Sequence, residues 1–534
     1  MSEPVTAAPR PPSGRRAMAR STIGIFLVRG FDTALSFLVA ILLANRFGAG
    51  AQLDAFFMAR RATVGMTELV KQLVQQLAMP SIALSIDRGQ RPSWRTLPRP
   101  VLWVIGAMLV VPLVAILFPA PIIGLFAPGF SGERLAIGST ILAILIPLLP
   151  IAVLSALLLT YLAARGVFFF GESARAFQRL LLILFLFFLV PPFAILAVGW
   201  TMLGAGLVSL SLLAGGALVM HRRLANLETP DEPAAPVKAS PRGRIGSALA
   251  MFAFFQVTVM IDFAFATQLP TGTVAAMEYG TRLVSLLPGL VTASLTTVLY
   301  PKIVRMMASE DRAAAAGALG KMLRGTLFLQ LPFSIALAMA APAVVAVLFG
   351  HGGFDEAAQA ETALVTSAYS IAAIFLMPGN IALNAIFSDA HRSPLVHILF
   401  LCASGLALRF VAVWAVVPQY GLIGLSLAVI AATILTSILC LIVCKHRFRD
   451  FRLRRSLGES LGALACAGVA ALAGWGAAQI FPTPQGVFLW IADGIVIGGA
   501  VILAYALSAL AIRQQEMMTL VVAARPLLKR IGFA

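Results

Sequence analysis

The sequence predicts an all-α polytopic membrane protein of about fourteen transmembrane helices, built as two parallel-repeat six-helix lobes followed by two C-terminal helices. Three observations predict this. Apolar residues run in stretches of membrane-spanning length, basic residues gather in every second loop, and a set of motifs recurs at an offset near 222 residues.

The apolar runs come first. Of 534 residues, 60% are hydrophobic and only 12% charged, with a mean hydropathy of +0.94. Soluble chains carry about a quarter of their residues as charge, so a soluble enzyme is excluded. A barrel is excluded as well, because its strands alternate apolar and polar residues. Spans are centred near residues 35, 68, 113, 150, 190, 211, 257, 288, 337, 373, 405, 431, 469 and 499. Pro112, Pro147, Pro150, Pro288 and Pro332 are expected to bend their helices. The first span starts near Ser21 and runs to about Phe47 without a small-residue cleavage site, which reads as an uncleaved helix.

The loops sort by charge. One set holds Arg88, Arg91, Arg95 and Arg99; Arg165, Arg175 and Arg179; Arg222, Arg223, Arg242 and Arg244; Lys302, Arg305, Lys321 and Arg324; His391 and Arg392; and Lys445 through Arg455. The alternate set is short and nearly free of Lys and Arg, with Arg134 the exception. The net charge of +18 and pI near 10.9 therefore report topology rather than nucleic-acid binding. An even span count places both termini in the cytoplasm. Cys402, Cys440, Cys444 and Cys466 all fall in apolar spans and read as buried thiols. Metal-ligand spacings, a Walker loop, a nucleophile elbow and a dinucleotide fingerprint are all missing from the sequence. No catalytic residue, metal or cofactor is expected.

The repeat is read from ordered matches. Gly50, Phe57 and Arg60 match Gly272, Tyr279 and Arg282; Pro80 matches Pro301; Pro121, Phe126, Gly129 and Phe130 match Pro342, Phe349, Gly353 and Phe354. Six spans separate the copies, so both have the same orientation. The expected divisions are a cytoplasmic tail over 1–20, an N-lobe over 21–221 and a proline-rich cytoplasmic linker over 222–245. A C-lobe over 246–444, a basic cytoplasmic loop over 445–456, the last two spans over 457–512 and a cytoplasmic tail over 513–534 follow.

Charge enters the membrane chiefly in the first two helices of each lobe. On the second span Asp54, Arg61, Glu68, Lys71, Gln72 and Gln75 share an arc of about 100°, opposite an apolar face. A charge at mid-bilayer costs at least ~2.5–3.5 kcal/mol, so this stripe faces water or protein rather than lipid. It is either a functional cavity or a self-neutralising network of Asp54 with Arg61 and Glu68 with Lys71. The repeat mate carries Glu278 and Arg282 at i, i+4, the first span Arg29 and Asp32, and the seventh Asp262. Glu459, Asp493 and Arg409 read as helix ends or packing. Arg29, Arg60, Arg61, Lys71 and Arg282 outnumber Asp32, Asp54, Glu68 and Glu278 by one, which suits an anionic ligand such as phosphate.

Phe47-Gly-Ala-Gly50, Asp54-Ala-Phe-Phe57 and Ala59, with Ala127-Pro-Gly-Phe130, Tyr279-Gly-Thr-Arg282-Leu283, Pro288, Pro301 and Leu348 through Phe354, occur in the order found in the MurJ/MviN family of lipid II flippases. The chain resembles that family over most of its length. The resemblance implies two lobes around a central cavity, a lipid-facing groove on the last two helices, and translocation of undecaprenyl-pyrophosphate-linked sugar from the inner to the outer leaflet. Asp54 and Arg282 match family positions. Arg29 stands displaced from the family's first-helix arginines, and Thr67-Glu68-Leu-Val-Lys71 replaces an Arg-Arg pair and an Ala-Glu-Gly segment, with Lys71 or Arg61 as compensation.

The expected substrate-binding residues are thus Arg29, Arg60, Arg61, Lys71 and Arg282, and the expected gating or coupling residues Asp32, Asp54, Glu68, Asp262 and Glu278. Asp54 is expected to pair with the arginines. Other readings are a flippase for an exopolysaccharide or O-antigen unit, a cation-coupled drug antiporter using Asp32 or Asp262, and a scaffold for cell-wall or polysaccharide synthesis proteins. The partners implied are the lipid-linked glycan and membrane lipids.

Overall fold

Long apolar runs without β-alternation leave the backbone one way to satisfy its hydrogen bonds in lipid, the helix. Helix is the regular structure seen in the computed structural model of the chain, which describes residues 14–87, 97–165, 167, 169–188, 190–224, 242–286, 312–389, 393–481, 484 and 486–522. In order, the helices are α1 (Gly14–Phe47), α2 (Ala51–Asp87), α3 (Arg99–Leu117), α4 (Pro119–Phe126), α5 (Gly132–Leu145), α6 (Leu148–Ala164), α7 (Phe169–Phe188) and α8 (Val190–Leu224). They continue with α9 (Arg242–Ala266), α10 (Thr273–Val284), α11 (Arg312–Met339), α12 (Ala341–Phe349), α13 (Glu356–Ser388), α14 (Leu395–Arg447), α15 (Leu453–Ala477) and α16 (Val487–Ala511).

Ten helical stretches among the described residues are long and apolar enough to cross a membrane. α2 has the length but is too polar, as its charged stripe requires. α14 is two helices: at Gly421 the backbone leaves helical geometry (φ 54°, ψ −132°) and the second half returns along the first, bringing Arg409 to Val429 and Thr433, so this one stretch supplies the spans expected near 405 and 431. α5 and α6 break at Ile146–Pro147, where proline has no N–H to continue the ladder. α3 and α11 run through Pro112 and Pro332. Most of the span expected near 288, with Pro288 and Pro301, lies outside the described residues. So do Arg88, Arg91, Arg95, Lys302, Arg305, His391, Arg392, Arg525, Lys529, Arg530, most of the linker and most of the N-terminal tail.

The chain forms two compact units: residues 1–42, 70–113 and 144–238, and residues 43–69, 114–143 and 239–534. In the first, Val70, Val74, Ala78 and Ile82 make one stripe along α2 at four-residue spacing and pack on Val101, Val153 and Ala156. α7 and α8 pair beside it, with Leu162, Ala174, Leu213 and Ala217 between them and α6. In the second, α11, α13, α14, α15 and α16 enclose a large apolar core. All four cysteines are buried free thiols; Cys402, Cys440, Cys444 and Cys466 belong to that core. α16 is two-faced. Ile497, Val501, Tyr505 and Ala509 are buried at four-residue spacing, whereas Ile495, Leu503 and Leu507 are exposed, as on a helix with one face to protein and one to lipid.

Candidate functional site

At one end of the second unit, repeat-related segments lock together. The Gly353 N–H donates to the Asn45 carbonyl (3.1 Å), and the Gly129 N–H donates to Thr267 Oγ1 (3.0 Å). Asn45 and Thr267 are 222 residues apart and Gly129 and Gly353 are 224 apart, so these contacts are mates of one another. Phe57 and Tyr279, also 222 apart, meet edge-to-face at 5.4 Å. Phe349 and Phe354 close around Tyr279 at 4.8 and 5.6 Å. Mates that touch one another lie beside the axis relating the repeats. Gly48 (φ +65°) is held so close to Gly353 that a Cβ there would run into the Gly353 carbonyl.

Asp54 sits inside this seal, fully buried, in the first turn of α2. A helix start leaves backbone N–H groups without partners, and α10 begins at Gly272, which has no side chain to cap them. Asp54 supplies the cap from another helix. Its Oδ2 accepts from the Gly272 N–H (2.7 Å) and its Oδ1 from the Ala275 N–H (2.9 Å). The carboxylate also meets the positive end of the α10 dipole. Gly272 is required by φ +103° and by the Ala49 carbonyl, which a Cβ would approach to 2.8 Å. Arg134 reaches Asp54 at 4.0 Å and lies over the Phe130 ring, while Glu361 accepts from the Thr273 hydroxyl at 3.2 Å. The expected pairing of Asp54 with Arg61 or Arg282 is therefore replaced by two backbone amides and Arg134.

Six residues after Asp54, α2 presents two arginines to one carboxylate. Arg60 Nη2 donates to Glu278 Oε1 at 2.6 Å, and Arg61 Nη2 donates to Glu278 Oε2. Arg61 stacks on Phe263, its Cζ 3.5 Å from the ring centroid. Arg282, one turn along α10 from Glu278, adds its charge to the surroundings of the same carboxylate. Glu278 is buried, whereas Arg60 and Arg61 keep about a quarter of their side-chain surface accessible (23% and 24%). Among the described residues, three guanidiniums gather at one carboxylate. Glu278 is thus a shared acid: two arginines from α2 hydrogen-bond to it and Arg282 adds its charge.

The remaining expected residues are placed as follows. Glu68 and Lys71 lie two and three turns further along α2, half-buried and both engaged. Asp32 belongs to the first unit, where Arg179 meets its carboxylate at 3.2 Å and donates to its backbone carbonyl at 2.6 Å. Asp262 forms a bidentate pair with Arg409. The Arg29 side chain lies outside the described residues. Sequence reasoning left Arg134, Arg179, Arg409 and Phe263 out of the site. Arg134 carried a signal, as the one basic residue in loops otherwise nearly free of Lys and Arg. Arg409 carried only its depth in an apolar span.

The sequence profile described as lipid II flippase MurJ matches residues 43–494. A probable lipid II flippase MurJ of Buchnera aphidicola subsp. Schizaphis graminum is 23% identical over 379 residues, covering 69% of this chain and 72% of that one. A probable lipid II flippase MurJ of Vibrio cholerae is 24% identical over 409 residues, covering 73% and 75%. Among solved structures, a lipid II flippase MurJ in an inward closed conformation superposes with a TM-score of 0.69 at 18% identity, over 92% of this chain and 99% of that one. An inward-facing multidrug resistance MATE family transporter of the MOP superfamily gives 0.61 at 14%, over 79% and 95%. At such identities the structures share the fold.

Proposed function

The chain belongs to the lipid II flippase MurJ family, a family of multi-pass membrane transporters rather than catalysts, and from that premise we propose that it moves an undecaprenyl-pyrophosphate-linked saccharide, lipid II above all, from the inner to the outer leaflet of the bacterial cytoplasmic membrane. The observation that carries the reading is the arginine node. Arg60, Arg61 and Arg282 surround the single carboxylate of Glu278, and guanidinium is the group that holds a pyrophosphate by paired, charge-assisted hydrogen bonds.

Transport then proceeds by alternating access. Both termini lie on the cytoplasmic side and the Asp54 seal is the outer gate. A pyrophosphate arriving from the cytoplasmic side displaces Glu278 from Arg60 and Arg61, while the sugar occupies the hydrated interior and the polyprenyl tail remains in lipid. Lys71 and Glu68, further along the same helix, line the approach. The seal opens when Asp54 releases the start of α10. On release the arginines close again on Glu278, which serves as the resident counter-anion and prevents the product from rebinding at full strength. Each negative charge moved outward across an inside-negative potential gains about 2.3 kcal/mol per 100 mV. Membrane potential therefore drives the cycle without a nucleotide.

Complementation tests this reading. A bacterium depleted of its own lipid II flippase is expected to grow when it expresses the wild-type chain, and not when it expresses Arg61→Ala/Arg282→Ala at equal level. Growth failure with well-inserted wild-type protein contradicts lipid II as the substrate and leaves another polyprenyl-linked glycan. Growth with both proteins contradicts the arginine node.

A further inference from the structure

The buried face of α16 begins with an acid. Asp493, Ile497, Val501, Tyr505 and Ala509 follow one another at four-residue spacing, and all are buried. Asp493 is 5% exposed, and its Oδ1 has no hydrogen-bond partner among the described residues. One turn further on, Ile497 packs with Ala340 and Ala477. Gly494 brings the α16 backbone so close to α12 that a Cβ there would stand 3.4 Å from the Ala343 methyl. Asp493 therefore lies at the joint of α16 with α12 and the end of α15.

The elements packed on this end of α16 offer it no counter-charge. α12, α11 beyond Arg324 and α15 beyond Glu459 contain no Asp, Glu, Lys, Arg or His. Cys466 on α15 and Tyr505 on α16, both further from this end, are the other titratable groups on these stretches. An ionised carboxylate here would be a bare charge in an apolar contact, so the packed joint takes the neutral, protonated acid. Water is near. Asp493 lies about 9 Å inside the start of α16 at Val487, the end where Trp475 and Phe488 are exposed as interface aromatics. Ala340, Ala343, Ala477 and Gly494 are small residues that let the helices approach closely, and that closeness keeps water off the carboxyl while they are packed.

The other end of α12 belongs to the seal. α12 is nine residues long, and its last residue, Phe349, stands against Tyr279 at 4.8 Å. A shift of α12 on α16 therefore moves the aromatic closure around Tyr279. We infer that Asp493 is a proton site at the joint of α12 and α16: it holds a proton while the two helices are packed, releases it when they part, and through α12 makes opening of the Tyr279 seal respond to pH. The last link rests on the reading of that seal as a gate; the proton site does not.

The test uses the full-length protein in two assays. In detergent, wild type is treated with dicyclohexylcarbodiimide or with a water-soluble carbodiimide, and the modified residue is read by peptide mass spectrometry. The carboxyl oxygen bonds to the carbodiimide carbon, the carboxyl proton passes to a nitrogen, and nothing leaves. Asp493 is expected to take the apolar reagent and not the soluble one. In cells, Ala276→Cys, at a buried position of the seal, is labelled from outside with a membrane-impermeant maleimide. Its label is expected to rise several-fold more between mildly acidic and mildly alkaline medium than that of Ala276→Cys/Asp493→Asn. The asparagine is neutral at every pH, the thiol's own response is common to both, and the packed state binds the proton that the parted state releases.

An Asp493 that resists the apolar reagent, or that the soluble one labels equally, overturns the inference. So does an equal pH response in the two backgrounds. In that case label on Ala276→Cys/Asp54→Ala confines the failure to Asp493, whereas its absence there overturns the gate reading as well. Should the asparagine variant not fold, Ala276→Cys treated with dicyclohexylcarbodiimide replaces it. The bulky adduct does not fit the packed joint, so label that is raised and level across pH supports the inference, and unchanged label overturns it.

Discussion

Asp54→Ala is expected to open the sealed end and abolish transport. The substitution strands the Gly272 and Ala275 N–H groups in a site with no exposure. Each orphaned buried donor costs about 1–3 kcal/mol, so the two together with the lost charge at the α10 terminus amount to ~2–7 kcal/mol. Asp54→Asn keeps one acceptor oxygen but turns an NH₂ group toward the other N–H, and is expected to recover less than half of the loss. Two measurements check this. The melting temperature of the purified protein is expected to fall by several degrees, and a cysteine placed at Ala276 is expected to become reactive toward a membrane-impermeant maleimide added outside cells. Ala276 is buried within the seal. An unreactive Ala276→Cys in the Asp54→Ala background, with transport lost, would assign Asp54 a role other than holding the gate.

Arg60→Ala/Arg61→Ala is the second large effect, and its compensation separates structure from function. The double substitution removes both hydrogen-bonding arginines from the buried Glu278 and, among the described residues, leaves the charge of Arg282 nearby. Removing one side of a buried ion pair costs about 3–5 kcal/mol because the other charge stays desolvated. Neutralising that charge with Glu278→Gln is therefore expected to restore most of the lost stability. The triple variant should melt close to wild type yet fail to support flipping, because the pyrophosphate ligands are gone. A triple variant that melts normally and transports normally would reduce Arg60 and Arg61 to fold stabilisers. Reconstituted protein, a melting curve and the same depleted strain suffice for the comparison.

The sequence made the membrane fold legible because lipid imposes a one-dimensional signal: span length and loop charge follow directly from bilayer thickness and the positive-inside rule. The repeat was legible through Gly50, Phe57 and Arg60 and their mates, and the contact of Phe57 with Tyr279 gives that repeat a physical seat. Partner choice was much less so. Asp54 was visible as a buried acid, but its partners are mainly backbone amides, which carry no mark in a sequence. Arg61 stood on one stripe with Asp54 and Glu68, a spacing that suggests local pairing. Its carboxylate lies 217 residues away on α10. Arg409 and Asp262 are separated by 147 residues and looked scattered until the helices brought them together. The α14 break was legible as well: the spans expected near 405 and 431 are two helices, divided where the backbone leaves helical geometry at Gly421.

The central claim, that this chain carries lipid II outward through the arginine node, is tested most directly by counting lipid II on the outer face of the membrane. Cells depleted of their own flippase and expressing this chain are treated with an enzyme that cleaves lipid II only from outside. Wild type is expected to make the lipid II pool cleavable, with cleavage falling when the membrane potential is collapsed. The triple variant Arg60→Ala/Arg61→Ala/Glu278→Gln is expected to leave the pool protected at equal expression. A pool that stays protected in cells carrying well-folded wild-type protein at full membrane potential would contradict the account.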